Sequence, residues 1–253
     1  MISTLSDFLS GTFRLAAFET KKRSYGSYLG WLWSIMSPLS QIFVFYFAVK
    51  YVFKAGRDDL FLWLTSGLAV WNVINTSMVK ACNSLLSRRA LLQSSNAKMI
   101  KLVFADLVAE MFVLAPLYLI AAAISIYYNG IHINLLFVPL LVLTLTFFLL
   151  GLGVILAVAT PFFRDLPHLM TLGLSVMFWF TPIAYSKVQL SEKLRLILYL
   201  NPFTYFVEFS QLTFGAEPMP LWVVVAPILI TIVITVMGFW FIEKIGRKMV
   251  IIL

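Results

Sequence analysis

The stretch LLFVPLLVLTLTFFLLGLGVILAVATPFFRDLPHLMTLGLSVMFWF, Leu135 to Phe180, decides the fold. Two long apolar runs flank one short turn that holds Pro161, Pro167 and a single charge pair, Arg164 and Asp165. The first run is uncharged over more than the ~20 residues that carry an α-helix through a ~30 Å hydrocarbon layer at about 1.5 Å per residue. Pro161 disfavours continuation of the helix before it, and Phe162 and Phe163 sit where aromatic rings favour a membrane interface. Asp165 is placed to cap the next helix, with Pro167 tolerated in its first turn. The pattern reads as helix, tight turn, helix, all in lipid.

Working outward, apolar spans are predicted at about 28–49, 60–79, 102–128, 135–160, 166–185 and 221–242, six crossings in all. Composition agrees, because 61% of the 253 residues are hydrophobic and only 12% are charged, about half the ~25% of a soluble protein. Backbone groups find no water in lipid, so the runs should be helices, and the short alternating strands of a barrel are not the pattern seen. The expected fold is therefore an all-α integral membrane bundle. Residues 1–27 carry Asp7, Arg14, Glu19, Lys21, Lys22 and Arg23 and lack a compact apolar core, so no cleaved signal is expected and the chain should begin at or near Met1.

The formal charge of +8 is topological in this reading. With six crossings and a cytoplasmic start, Lys50, Lys54, Arg57, Lys187, Lys193 and Arg195 fall outside, while the remaining thirteen of the nineteen lysines and arginines fall inside. The positive-inside rule then places both termini in the cytoplasm, and no nucleic-acid partner is expected. In residues 1–22, Leu5, Phe8, Leu9, Phe13 and Ala16 recur at helical spacing, as in an amphipathic helix at the cytoplasmic surface. Residues 80–101 form a basic inside loop long enough for a helix. The segment 186–220 mixes charges, among them Glu208, with apolar stretches too short to cross, so it is predicted to hold re-entrant or interfacial helices on the outer side.

Catalytic chemistry is poorly provided for. The two histidines, His132 and His168, are predicted on opposite faces, and the chain contains no HExxH or CxxC motif and no phosphate loop, so no metal and no ATP is expected on this chain. Cys82 is the only cysteine, which excludes an internal disulfide. Asp106 and Glu110 lie four apart on one face of the third span, where carboxylates are costly, and Lys98 and Lys101 are close enough in sequence to neutralise them. A membrane-embedded transferase would need convergent polar groups, and only Asp106, Glu110 and Glu208 are offered. Aromatic residues are plentiful in the first, second and fifth spans; as helical surface they serve packing or lipid contact, but rings also stack on sugar faces without strong directional bonds, as a sliding polymer requires.

KKRSYGSYLGWLWSIMSP, Lys21 to Pro38, resembles the approach to the first helix in permease subunits of ABC-2 type polysaccharide exporters, with Arg-x-Tyr, Ser-x-Leu-Gly-x-x-Trp and a following Pro. LTSGLAVWN (64–72), SSNAKMIKLVF (94–104), FFRDLPHL (162–169), TPIAYS (181–186) and LNPF (200–203) resemble further anchors of that family, in order along nearly the whole chain. One departure is Ala105 and Asp106, where relatives commonly place Pro and a basic residue. The resemblance implies a single transmembrane domain over 1–253, in the bacterial inner membrane, working as a homodimer with two separate nucleotide-binding subunits that carry ATP and Mg. It also implies export of lipid-linked polysaccharide, such as O antigen on undecaprenyl diphosphate; capsule, teichoic acid or small-molecule exporters share the pattern. On that reading Phe43, Tyr46, Trp71, Phe178, Trp179 and Tyr185 are candidates to line the path, and Lys21, Lys22 and Arg23 to attract the lipid diphosphate. Arg88, Arg89, Asn96, Arg164 and Asp165 are candidates to receive the ATPase stroke, and Asn201, Pro202 and Glu208 to shape the outer re-entrant segment.

Overall fold

The computed structural model describes residues 2–24, 26, 28–30, 32–54, 57–94, 99–185, 187, 190–215 and 217–252, with the side chains of 2–9, 22–24, 91, 93, 94 and 247–252 left out. Every regular element among the described residues is helical: α1 (Ile2–Ser24), α2 (Leu32–Phe47), α3 (Leu60–Ser84), α4 (Arg89–Ser94), α5 (Met99–Asn129), α6 (Val138–Ala159), α7 (Leu166–Trp179), α8 (Glu192–Leu200), α9 (Pro202–Gly215) and α10 (Leu221–Ile252). A π-turn, Ala48–Val52, prolongs α2, and 3₁₀ turns precede α4 and α6.

Among the described residues, four segments are long and apolar enough to cross a membrane: Leu32–Val52, Met99–Asn129, Ile133–Ala159 and Leu221–Gly246. The expected spans at 60–79 and 166–185 differ from these for two separate reasons. Helix α3 is 25 residues long but carries Thr65, Ser66 and Ser77 in its buried surface. It packs on α2, α5, α6, α7 and α9, so protein rather than lipid covers it and a uniformly apolar surface is not required. Helix α7 runs for 14 residues, about 21 Å, because the chain leaves the helix ahead of Pro182, whose ring and missing N–H oppose its continuation. The expected amphipathic stretch is helical as α1, and it lies along α5 with Thr12 and Ala16 fully buried and Phe13 edge-on to Phe112.

The α6–α7 turn closes through backbone bonds from Phe163 and Leu166 to Ala159 and Phe163 carbonyls, at the same end of the bundle as α1 and α4. Asp165 occupies the N-cap position of α7 but makes no side-chain capping bond, contrary to the sequence expectation. Its backbone is already in the helical region, φ −83° and ψ −4°, so the carboxylate is not turned back onto the first N–H groups. Arg164 and Asp165 both remain exposed.

Helices α6 and α10 approach most closely where two glycines face each other. A Cβ on Gly151 would lie 2.5 Å from the Ile234 carbonyl oxygen, and one on Gly238 would lie 2.5 Å from the Gly151 carbonyl oxygen. Thr231 and Thr235 donate across the same seam to the carbonyls of Thr144 (3.1 Å) and Phe147 (3.0 Å), which is how apolar helices associate when lipid offers no hydrophobic drive. Substituting Gly151→Ala or Gly238→Ala should therefore destabilise the protein by about 1–3 kcal/mol, as overpacking does. Gly173→Ala, which meets no atom within 4 Å, should be neutral or stabilising in the same thermal unfolding series in nanodiscs.

Candidate functional site

Two polar clusters and one aromatic face stand out from the apolar bundle. At the end where α1, α4 and the α6–α7 turn meet, Arg88 grips Asp106 with both guanidinium nitrogens, at 2.7 and 2.6 Å. The same guanidinium holds Glu19 of α1 at 2.7 Å and the Ser84 carbonyl at 3.2 Å, while Ser84 Oγ donates to Asp106. The bond to Asp106 raises the Arg88 pKa above its ordinary value against the opposing effect of burial, so the charge is secure. One helical turn deeper, Lys80 pairs with Glu110, whose side chain is only 2% exposed. Asp106 is thus paired with Arg88 and Glu110 with Lys80; of the two lysines expected from sequence proximity, Lys98 lies outside the described residues. The pairing was encoded in spacing: a step of four along α3, from Lys80 to Ser84, matches a step of four in the opposite direction along α5, from Glu110 to Asp106.

These residues line two polar cavities that share Lys80. One, of 280 Å³, lies against Glu19, Ser84, Arg88 and Asp106. The other, of 330 Å³, reaches deeper, among Ser34 and Ser37 of α2, Asn72, Thr76 and Lys80 of α3, and Glu110 of α5. Asn72 donates to Gln41 Oε1 at 3.2 Å and to the Leu68 carbonyl at 2.8 Å, which fixes its amide at the upper wall.

The aromatic face runs along α2 and α7. Phe43 and Trp179 are exposed, and Tyr46, Phe178 and Tyr185 are partly covered. Phe45 stacks on Phe178 (5.3 Å) and lies near Trp179 (6.5 Å), while Phe61 braces both Phe43 and Tyr46. Trp71, grouped with these from the sequence, is 4% exposed and sits edge-on to Phe178 and Phe203, so its ring belongs to the core. The enclosure of α3 explains the difference. Phe45 and Phe61 were overlooked because a ring in an apolar helix carries no mark of the side it faces.

At the opposite end, Asn201 and Pro202 start α9. Asn201 Oδ1 accepts the Phe203 N–H at 3.0 Å, and Asn201 Nδ2 donates to Thr181 Oγ1 at 2.8 Å, which pins the end of α7 to the start of α9. Glu208 is buried and pairs with Lys187, whose ammonium also donates to Tyr199 OH at 2.9 Å and lies over Trp222. Nearby, Arg57 binds Asp59 and Glu217 and stacks on Trp63. Burial is the largest single influence on Arg57 and lowers its pKa, yet the bonds to both carboxylates outweigh it and leave the value raised. Ser125 donates to the Phe214 carbonyl and so accepts from His132 Nε2 at 2.9 Å. His132 Nδ1 is buried with no partner among the described residues, and burial lowers the pKa of the ring.

Of the remaining sequence candidates, Lys21 and Arg89 are exposed. Asn96 lies outside the described residues, as do the side chains of Lys22 and Arg23.

The family model described as ABC-2 type transporter matches residues 11–214. Similar proteins include an O-antigen export system permease protein RfbA of Klebsiella pneumoniae, 27% identical over 194 residues that span 73% of this chain and 72% of that one. The RfbA of Myxococcus xanthus is 29% identical over 207 residues, 80% of this chain and 79% of its own.

Arg88→Met strands Asp106 and Glu19 and should destabilise the protein by about 3 kcal/mol, the lower end for a broken buried pair because the groups keep some exposure. Arg88→Lys should restore little, since an ammonium cannot span both Asp106 oxygens, whereas adding Asp106→Leu to Arg88→Met should recover part of the loss in thermal unfolding. His132 has a folded-state pKa below its unfolded value, so the unfolded chain binds the extra proton and stability falls as pH drops through about 6.5. His132→Gln should flatten the slope of unfolding midpoint against pH between about 7.5 and 5.5.

Proposed function

Because this chain belongs to the ABC-2 type transporter family, whose model covers residues 11–214, we infer that it is the permease subunit of an O-antigen exporter in the bacterial inner membrane. Two copies form the conduit, and two separate ATPase subunits, holding ATP and Mg, drive it. The cargo is a polysaccharide on a lipid diphosphate carrier such as undecaprenyl diphosphate. Helices α2, α3, α5, α6, α7 and α10 supply six crossings, with α7 completed by the chain up to Tyr185; both termini are cytoplasmic, α1 lies at the inner interface, and α8 and α9 form the outer re-entrant segment.

One observation carries the reading beyond the family: the exposed aromatic column of α2 and α7, with Phe43 and Trp179 more than half exposed, on helices whose outward faces the other described residues leave open. Facing its copy in a second subunit, this column lines a path where C–H faces of sugar rings slide over Phe43, Tyr46, Phe178, Trp179 and Tyr185, with Trp71 bracing Phe178 from behind. Lys21, Lys22 and Arg23 attract the lipid diphosphate at the inner surface, where each nearby cation contributes about 1 kcal/mol. Arg164 and Asp165, exposed on the tight α6–α7 turn, receive the push of the ATPase together with Arg89 and Asn96. Arg88 passes that push to α1 and α5 through its fork on Asp106 and Glu19.

In a strain deleted for this gene, lipid-linked O antigen should accumulate on the inner leaflet and the wild-type gene should restore export. Phe43→Ala combined with Trp179→Ala should slow export several-fold at unchanged abundance. Arg164→Ala with Asp165→Ala should leave ATP hydrolysis running while transport falls. Accumulation of no lipid-linked glycan in the deletion strain would refute the assignment.

A further inference from the structure

The 330 Å³ cavity lies away from the exposed aromatic face, behind α2 and between α3 and α5. Its depth is set by the helices. Glu110 is eleven residues into α5, about 16 Å from its start, and Asn72 stands twelve residues, about 18 Å, before the end of α3. Both are far inside helices that cross the membrane in the proposed topology, and from them the wall runs toward the α1 end through Thr76, Lys80, Ser37 and Ser34. Polar groups at that depth are expensive unless they bind each other, water or a ligand.

The charges decide what kind of ligand fits. Around the two neighbouring cavities, which share Lys80 in their walls, stand three carboxylates, Glu19, Asp106 and Glu110, and two cations, Lys80 and Arg88. That leaves a surplus of one negative charge, and each cation is already engaged by a carboxylate. A phosphate or diphosphate gains nothing here. What the deeper cavity offers is a set of hydroxyls, one amide and one ion pair at which hydroxyl groups can both donate and accept, opposite an apolar wall of Pro38, Val113 and Leu114. Its volume sits at the lower end of the ~300–1,000 Å³ of small-molecule sites, enough for one ring and too little for a chain.

We propose that the cavity between α2, α3 and α5 binds one uncharged sugar residue of a lipid-linked glycan in the inner leaflet, before the glycan reaches the aromatic path. Glu110, held in place by Lys80, accepts from the sugar hydroxyls, the Asn72 amide and the Thr76 hydroxyl bond neighbouring hydroxyls, and Pro38, Val113 and Leu114 cover the apolar face of the ring. The proposal rests on the glycan-export reading and locates a loading station within it.

The test uses the full-length permease with its ATPase partner in phosphatidylcholine nanodiscs, free of glycoside detergent. The probe is a dodecyl glucoside carrying a photoreactive diazirine, and labelled peptides are mapped by mass spectrometry. Labelling should fall on the α3 and α5 peptides that contain Thr76 and Glu110. It should drop about fivefold in Asn72→Leu and in Thr76→Val, the effect of losing one hydrogen bond, and be retained in Thr76→Ser. Unlabelled dodecyl glucoside should compete and dodecyl phosphate should not. Thermal unfolding of each variant identifies any that fails to fold, and Thr76→Ser keeps the comparison interpretable in that case. Labelling that ignores both substitutions, or that dodecyl phosphate displaces more effectively than the glucoside, overturns the proposal. The export assignment stands or falls separately, on glycan accumulation in the deletion strain.

Discussion

The enclosure of α3 is the constraint on which the other elements depend. Five helices lean on it, and its buried Thr65 and Ser66 return their hydrogen bonds to its own backbone, at the Phe61 and Trp63 carbonyls, as the half-buried Thr76 does at the Asn72 carbonyl. That local satisfaction lets Thr65 stand in a protein-lined environment without a partner from another helix. It also frees Ser66 and Gly67 to admit α9 closely: Ser210 donates to the Ser66 carbonyl at 3.0 Å, and Gln211 reaches over Gly67 to the Pro182 carbonyl. The central helix can therefore carry polar side chains along its length, because neighbouring helices cover most of its surface.

From that centre the two ends of the molecule are built differently. At the α1 end, charges carry the joints: Arg88 ties the turn after α3 to α1 and α5 through three carboxylate contacts, and Lys80 repeats the device one turn deeper. At the α9 end, the Lys187–Glu208 and Arg57–Glu217 ion pairs are joined by amide and hydroxyl bonds to backbone, with Asn201, Ser125 and Asn134 each holding a carbonyl of a distant segment. A displacement applied at the α1 end meets a few strong, directional contacts that move as a unit.

The α2 and α7 faces complete the picture. Helix α7 rests on α3 through Leu174 and Phe178 and leaves Leu172, Val176 and Trp179 uncovered. Helix α2 leaves Phe43, Val44 and Phe47 uncovered in the same way. Both helices rest on α3 on one side and leave the other uncovered by the described residues.

Much of this was legible in the sequence. Apolar length gave the helical runs, and Pro161 and Arg164-Asp165 gave the tight turn, because these are properties of a few consecutive residues interacting with lipid or with their own backbone; that Asn201 caps α9 and Pro202 opens it is seen only in the structure. The sequence alone did not say that Asp106 answers to Arg88 and Glu110 to Lys80, that Trp71 is enclosed while Trp179 is not, or that Asp165 would leave α7 without a side-chain cap. Those outcomes depend on which helix faces which. In a chain this apolar, every face of a helix reads nearly alike until neighbouring helices choose one, so only the tertiary structure could decide them.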